Sequence, residues 1–301
     1  MTESEFESLV TALREETEEY AVAILERTTI DTSKVLANGD SLLRIAALRG
    51  QLKSVQLLLE NPKANPGDAL QGAVAHGHVS CLDALLKDSR TNPNHYRVSN
   101  HYRVCWTPLF FAACKGYTEC LKLLLSHPEI DPNQGRHDTH SPLHEAVRGL
   151  KVECVVMLLA HPRINPNKVC SDGYSPLHEA CTPKYDDDDD ARANRRAILS
   201  LLLSHEAIDV NIHTSMPYVL VDYTPLCVAV HWKNYDAVEL LLKDERVSLE
   251  DAHKDVLRDI EFFGTAVDAG SHLIFEAIEA EQRKRDRWRR RRSWILVCSV
   301  F

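Results

Sequence analysis

Apolar positions recur along this chain as pairs of short amphipathic blocks. Fourteen residues after Thr107, Ser141 and Thr224 come Leu121, Val155 and Val238, each followed three and four places on by Leu124-Leu125, Leu158-Leu159 and Leu241-Leu242. Steps of three and four keep side chains on one face of a helix. Each block pair opens on Thr/Ser-Pro-Leu, at 107–109, 141–143, 175–177 and 224–226. Proline suits the first turn of a helix, where its missing N–H would have no partner, and the preceding hydroxyl can cap the free N–H groups. Gly50, Gly77 and Gly116 stand where the first helix of a pair should end in a left-handed residue. The pattern therefore predicts two short antiparallel helices per unit, joined by a tight turn.

Weaker copies run upstream. Ser41, Leu43, Ala46, Gly50, Val55 and Leu58-Leu59 form one, and Asp68, Leu70, Ala73, Gly77, Leu82 and Leu85-Leu86 the next. Leu9, Ala12, Ile24 and Leu25 fill the same places in a degenerate first copy. Ser-Pro-Leu-His-Glu-Ala at 141–146, repeated at 175–180, resembles the T-P-L-H-x-A signature of the ankyrin repeat in order and in period. The resemblance covers about residues 5 to 245 and implies an all-α solenoid of helix-turn-helix units with β-turn fingers, each unit resting on its neighbours. The expected layout is a capping repeat over 1–39, a solenoid over 40–250, a helical cap over 251–282 and an Arg-rich tail over 283–301.

Intervals between equivalent positions are 27, 39, 34, 34 and 49 residues, so the period contains one deletion and at least two insertions, which repeat proteins place in loops. One insertion, over 94–105, is a tandem duplication of Asn-His-Tyr-Arg-Val, read either as a projecting hairpin or as a neutral loop. The other, over 182–194, contains Asp186 to Asp190. Five adjacent acids could gather a hard cation, but the interleaved Gly and closing Glu of a calcium loop are missing, and a solvated, flexible charge run is the expectation.

The composition of the 301 residues, 44% hydrophobic and 26% charged, suits a folded chain. Nine cysteines are too few and too odd in number for a disulfide framework, which points to a reducing compartment. With an acidic N-terminus and no apolar run of membrane-spanning length, a cytoplasmic location is expected. Charge is segregated. From Arg283 onward eight Lys/Arg face one acid, so the tail carries +7 and the other 282 residues carry −16 of the total −9. Such a body should repel nucleic acid.

Histidines and cysteines fall in repeat register. Cys81, Cys120 and Cys154 share one position, Cys114 and Cys181 are assigned to another, and His144 and His178 fill the signature His position. Recurring small residues of this kind pack. Without CxxC, HExxH, a phosphate loop or a nucleophile elbow, no metal, cofactor or catalytic set is expected, and an enzyme reading is left only the stretch after residue 247. The ankyrin resemblance instead implies binding of a protein or peptide, by a monomer, along finger tips and the exposed face of the first helices. By position these are Tyr102, Arg103, Trp106, His140, Tyr174 and Tyr223 on the tips and Phe111, Lys115, Glu145, Arg148, Glu179 and Trp232 on the helices. Trp106, Tyr174 and Tyr223 equally suit packing of one finger on the next. Three readings stay open for Arg283 to Arg292: nuclear signal, nucleic-acid arm, or patch for an anionic membrane surface. Cys298 in the closing Cys-Ser-Val-Phe fits a loose prenylation pattern.

Overall fold

The structure is a computed structural model. It describes residues 3–15, 17–27, 35–36, 39–96, 106–135, 140–183, 188–214, 223–249 and 276–287. These residues form α-helices and turns, with one isolated antiparallel bridge between Val35 and Ser41. The chain divides into two compact units, 1–165 and 166–301.

The first unit stacks five helix pairs: α1 (Glu3–Glu15) with α2 (Glu18–Arg27), α3 (Leu42–Arg49) with α4 (Leu52–Leu59), α5 (Pro66–Ala75) with α6 (Val79–Leu86), α7 (Pro108–Lys115) with α8 (Thr118–Ser126), and α9 (Pro142–Arg148) with α10 (Val152–Leu159). First helices pack on first helices, in the order α1, α3, α5, α7, α9, and second helices on second helices. Leu43, Leu70, Leu109 and Leu143 from the first row and Val55, Leu82, Leu121 and Val155 from the second are at most 2% exposed. Each pair thus completes its core only against its neighbours.

Helices seven to ten residues long would barely persist alone, so their ends matter. Thr107 and Ser141 accept the N–H of Phe110 and His144 on their side-chain oxygens, ahead of a proline at the first turn. The pair that begins with α5 starts earlier than its register position suggests. Asn65, not Asp68, is the cap, accepting the N–H of Gly67, and Pro66 opens the helix. Where the interval shortens to 27, the finger is lost and Asn-Pro replaces Thr-Pro.

Gly50 and Gly116 end α3 and α7 at φ 73° and 75°. A Cβ at Gly50 would also meet the His78 ring at 2.5 Å, and that ring is held by the Leu48 carbonyl at 3.1 Å. The same position, nine residues past the cap, falls on Leu150 and Lys233, each left-handed at φ 54°. A non-glycine there costs about 1–2 kcal/mol, partly offset because glycine loses more freedom on folding. Lys233 is exposed. Lys233→Gly is therefore expected to stabilise the chain by roughly 0.5–1 kcal/mol, read as a higher urea midpoint with unchanged slope.

The second unit contains α11 (Pro176–Cys181) with α12 (Asp189–Ser204), and α13 (Pro225–His231) with α14 (Tyr235–Lys243), followed by a helical segment over 276–287. Ser175 and Thr224 cap α11 and α13 as Thr107 and Ser141 cap their helices. A finger closes at 170–174, where the Cys170 N–H bonds the Tyr174 carbonyl at 2.8 Å.

Two expectations change here. The insertion over 182–194 is not loop throughout, because α12 runs sixteen residues and takes in 189–194. The acidic run is likewise not a free charge run at its end: Asp188 caps α12, its carboxylate accepting the Ala191 N–H at 2.7 Å, and Asp189 and Asp190 sit in the first turn. Carboxylates are stabilised there by the free N–H groups and the helix dipole, a use that counting like charges overlooks. Second, the Arg-rich tail does not begin at 283. Helix continues through Arg287, and Arg283 and Arg285 pair with Glu279 and Glu281. Arg285 also donates to the carbonyls of Leu242, Asp244 and Val247, so it closes the end of α14 as a structural residue.

Candidate partner-binding face

In the first unit, the caps of α7 and α9 fix where the neighbouring rings lie. Trp106, one residue before the Thr107 cap, stands 6.2 Å from Phe110 and 5.3 Å from Phe111, ring to ring. The Gln71 side chain donates to the Trp106 carbonyl, and the indole N–H is buried without an acceptor among the described residues. Phe111 is half-buried, and one turn on the Lys115 ammonium lies 5.6 Å over its ring. Such a contact is worth about 0.5–1 kcal/mol at an exposed site. His140 meets His144 edge-on at 5.7 Å.

Glu145 is not the exposed contact its position implies. It is 5% exposed and pairs with Arg148, whose own side chain is 48% exposed. A single Arg three residues along the same helix neutralises it, so only the cation faces outward.

In the second unit, Tyr174 meets His178 edge-on at 5.7 Å, as His140 meets His144. Tyr223 lies 6.0 Å from His231, which in turn is 5.3 Å from Trp232. Burial, with Glu179 nearby, pushes the Tyr174 hydroxyl above its ordinary range. Trp106, His140 and Tyr174 thus each lean on the ring four residues later in the same unit. Tyr102, Arg103 and Cys298 lie outside the described residues, as does the duplication from 97 to 105.

His178 is fully buried and completely engaged. Its Nδ1 accepts the Ser175 N–H at 3.1 Å and lies 2.8 Å from the Ser175 hydroxyl, while Nε2 lies 3.0 Å from the Tyr223 carbonyl. Burial, outweighing that carbonyl, lowers its pKa from 6.5 to about 4. His144 makes the same two contacts with Ser141. Both imidazoles close a capping box from the third helical residue.

The cysteines are packing residues with suppressed thiolates. Cys81, Cys120 and Cys154 are at most 1% exposed, and burial pushes each thiol up to about 11. Low-pKa reactivity needs the opposite surroundings. Cys114 and Cys181 do not share a position: Cys114 is seven residues past its cap and half-buried, Cys181 six past its own and fully buried.

One recurring device has a sequence signal outside the helix pattern. Asn94 donates its side-chain amide to the Glu129 carbonyl at 2.8 Å and accepts the Asp131 N–H at 2.8 Å. Asn133 does the same to Arg163 and Asn165, Asn167 to Ala207 and Asp209, and Asn211 to Arg246 and Ser248. Each asparagine follows Asn-Pro, Asp-Pro or Asp-Val, a triplet visible at 92–94, 131–133, 165–167 and 209–211. An amide supplies one donor and one acceptor and so satisfies both strands of the next turn. Arginines add to this: Arg90 donates to the Leu59 and Asn61 carbonyls, Arg163 to Pro128 and Arg246 to Leu203. In two of them an aspartate, Asp88 or Asp244, is hydrogen-bonded to the guanidinium and held below the usual carboxylate range by it.

Comparison with known proteins agrees with this architecture. Models described as ankyrin repeats match residues 43–136, 70–169 and 109–188, and a single ankyrin repeat model matches 172–215 and 222–253. Among solved structures, the chain is similar to the crystal structure of the ankyrin repeat domain of Bcl-3, described as a unique member of the IkappaB protein family. That likeness has a TM-score of 0.58 at 21% identity, over 77% of this chain and 96% of that one. No curated protein matches the chain.

Proposed function

We propose, since this chain belongs to the ankyrin repeat family, that it acts as a non-enzymatic scaffold gripping a protein or peptide on the first-helix face of its repeats. The observation that carries this is the Trp106–Phe111–Lys115 cluster. An indole, a half-buried phenyl ring and an exposed ammonium follow one another along one short capped helix, α7. Aromatic residues in this setting supply large contact area at little entropic cost, and such residues dominate interface energetics. The helices beneath are fixed by caps and by both neighbours, so the face is displayed with little ordering left to do on binding.

The test is crosslinking capture from the native cell. Substituting Trp106→Ala together with Tyr102→Ala is expected to reduce recovery of the captured protein at least tenfold while the melting temperature moves by only a few degrees. Undiminished capture by a folded variant would place the grip elsewhere.

A second reading assigns the basic C-terminal end a part in location, as an adaptor anchored at an anionic membrane surface or directed to the nucleus. The ion pairs of Arg283 and Arg285 narrow it to the cations from Arg287 onward. No described helix is long and apolar enough to cross a membrane. A Cys298→Ser variant with the wild-type distribution between membrane and soluble fractions would remove prenylation from this reading.

A further inference from the structure

We infer that the first unit takes an extended acidic peptide, with carboxylates about every third residue and apolar side chains between them, across the last turns of α3, α5, α7 and α9. The inference rests on the binding reading above and specifies its partner chemistry.

Three of the first helices end on cations: Arg49 is the last residue of α3, and Lys115 and Arg148 close α7 and α9, while an imidazole, His76, follows the last residue of α5 between them. All four are exposed. Arg148 shares its charge with Glu145, but Arg49 and Lys115 have no carboxylate partner among the described residues. Cations at helix C-termini are ordinarily explained by the helix dipole. Within the last turn itself a Lys or Arg stands in α3, α7 and α9 and in none of the second helices α4, α6, α8 and α10, where Lys87 and His127 come only at the caps after α6 and α8.

By sequence, residues 40–165 hold fourteen Lys/Arg against eleven Asp/Glu, a net +3, and the acidic charge of the first unit lies in residues 1–39, which bring the unit as a whole to −3. Asp40, at the opposite end of α3 from Arg49, is paired with Arg44 at 2.9 Å. Immediately before Arg49, His76 and Lys115 come Leu48, Ala75 and Cys114, all half-buried, with Phe111 one turn earlier on α7. A cation row thus borders an apolar strip. Packed helices lie about 8–10 Å apart, which matches one three-residue turn of an extended polyproline II chain at about 3.1 Å per residue, the conformation in which every third side chain points the same way. An acid at every third position would meet successive cations, and the side chains between would lie on the strip.

The experiment is selection from a display library of random 12-residue peptides on the purified full chain, followed by affinity measurement on the enriched sequences. Enrichment of net-acidic peptides carrying apolar residues is expected. Their binding should weaken at least tenfold in Arg49→Glu/Lys115→Glu and severalfold in Arg49→Gln/Lys115→Gln, both variants being checked for native helicity and melting. Enrichment of neutral or basic peptides would overturn the acidic assignment and leave the scaffold reading standing. Acidic peptides that bind both variants as tightly as the parent would overturn the placement on this row. No enrichment above an unrelated sequence pool would sink the assignment and the scaffold reading together.

Discussion

Acidification from pH 7 to pH 4 is expected to remove about 3 kcal/mol of folding stability at His178 alone. The imidazole titrates near 4 in the folded chain against 6.5 ordinarily, and each unit of difference is worth about 1.4 kcal/mol. The sign follows from which state holds the proton. Between pH 6.5 and 4 the unfolded chain binds a proton that the folded chain refuses, so stability is full above 6.5 and falls until about 4, where both states are protonated. The structural cause is specific. Nδ1 accepts the Ser175 N–H and Nε2 faces the Tyr223 carbonyl, so a second proton on Nδ1 would set donor against donor inside a fully buried site. Urea unfolding of wild type and His178→Cys at pH 7 and pH 4 isolates the effect. Cysteine fills the equivalent position at 227, where its sulfur lies 3.0 Å from the Thr224 hydroxyl. The wild type should lose about 3 kcal/mol more than the variant over this range; equal losses would mean that the imidazole is not held neutral by burial.

The helix pairs were legible because their signals are local. A cap, a proline and a three-four apolar step each act within a turn or two, and the same steric rules apply wherever they occur. Thr107, Ser141, Ser175 and Thr224 show this directly, each accepting an N–H three residues on. What escaped was decided by groups far apart in the chain or by context within one turn. The Asn94 and Asn133 amides bond turns some 30 to 37 residues away, and no window of helical length contains both ends. Asp188 looks like part of a repelling run until a helix N-terminus stands beside it. Glu145 and Glu179 occupy one repeat position, yet Glu145 is turned inward with Arg148 while Glu179 stays half-buried, because residue seven past the cap is Arg in one unit and Thr182 in the other. On the candidate face, the ring at 106 was legible as a type of residue. Of the cations at the helix ends, Lys115 and Arg148 were legible by repeat position, whereas Arg49 was not, since the copy that holds it has no Thr/Ser-Pro opening.

Leu121→Ala should cost roughly 3 kcal/mol, within the range for emptying a leucine site in a well-packed core. Leu121 is fully buried on α8, and α8 packs against α6 behind it, α7 across the turn and α10 ahead. In a stack of repeats, stability is close to a sum of unit terms and neighbour interfaces. A cavity at 121 therefore weakens two interfaces as well as its own pair, and helices of eight or nine residues packed on both sides have little slack with which to collapse into the space. Leu9 offers the comparison. It is equally buried, but among the described elements α1 packs chiefly on α2 and α3, so its main interface lies on one side. Leu9→Ala should cost less than Leu121→Ala by about 1 kcal/mol in urea unfolding followed by helical circular dichroism. A loss below about 1 kcal/mol at Leu121 would contradict a core shared between neighbours. It would mean that each helix pair is stable by itself, and that the rigid display of Trp106, Phe111 and Lys115 needs another source.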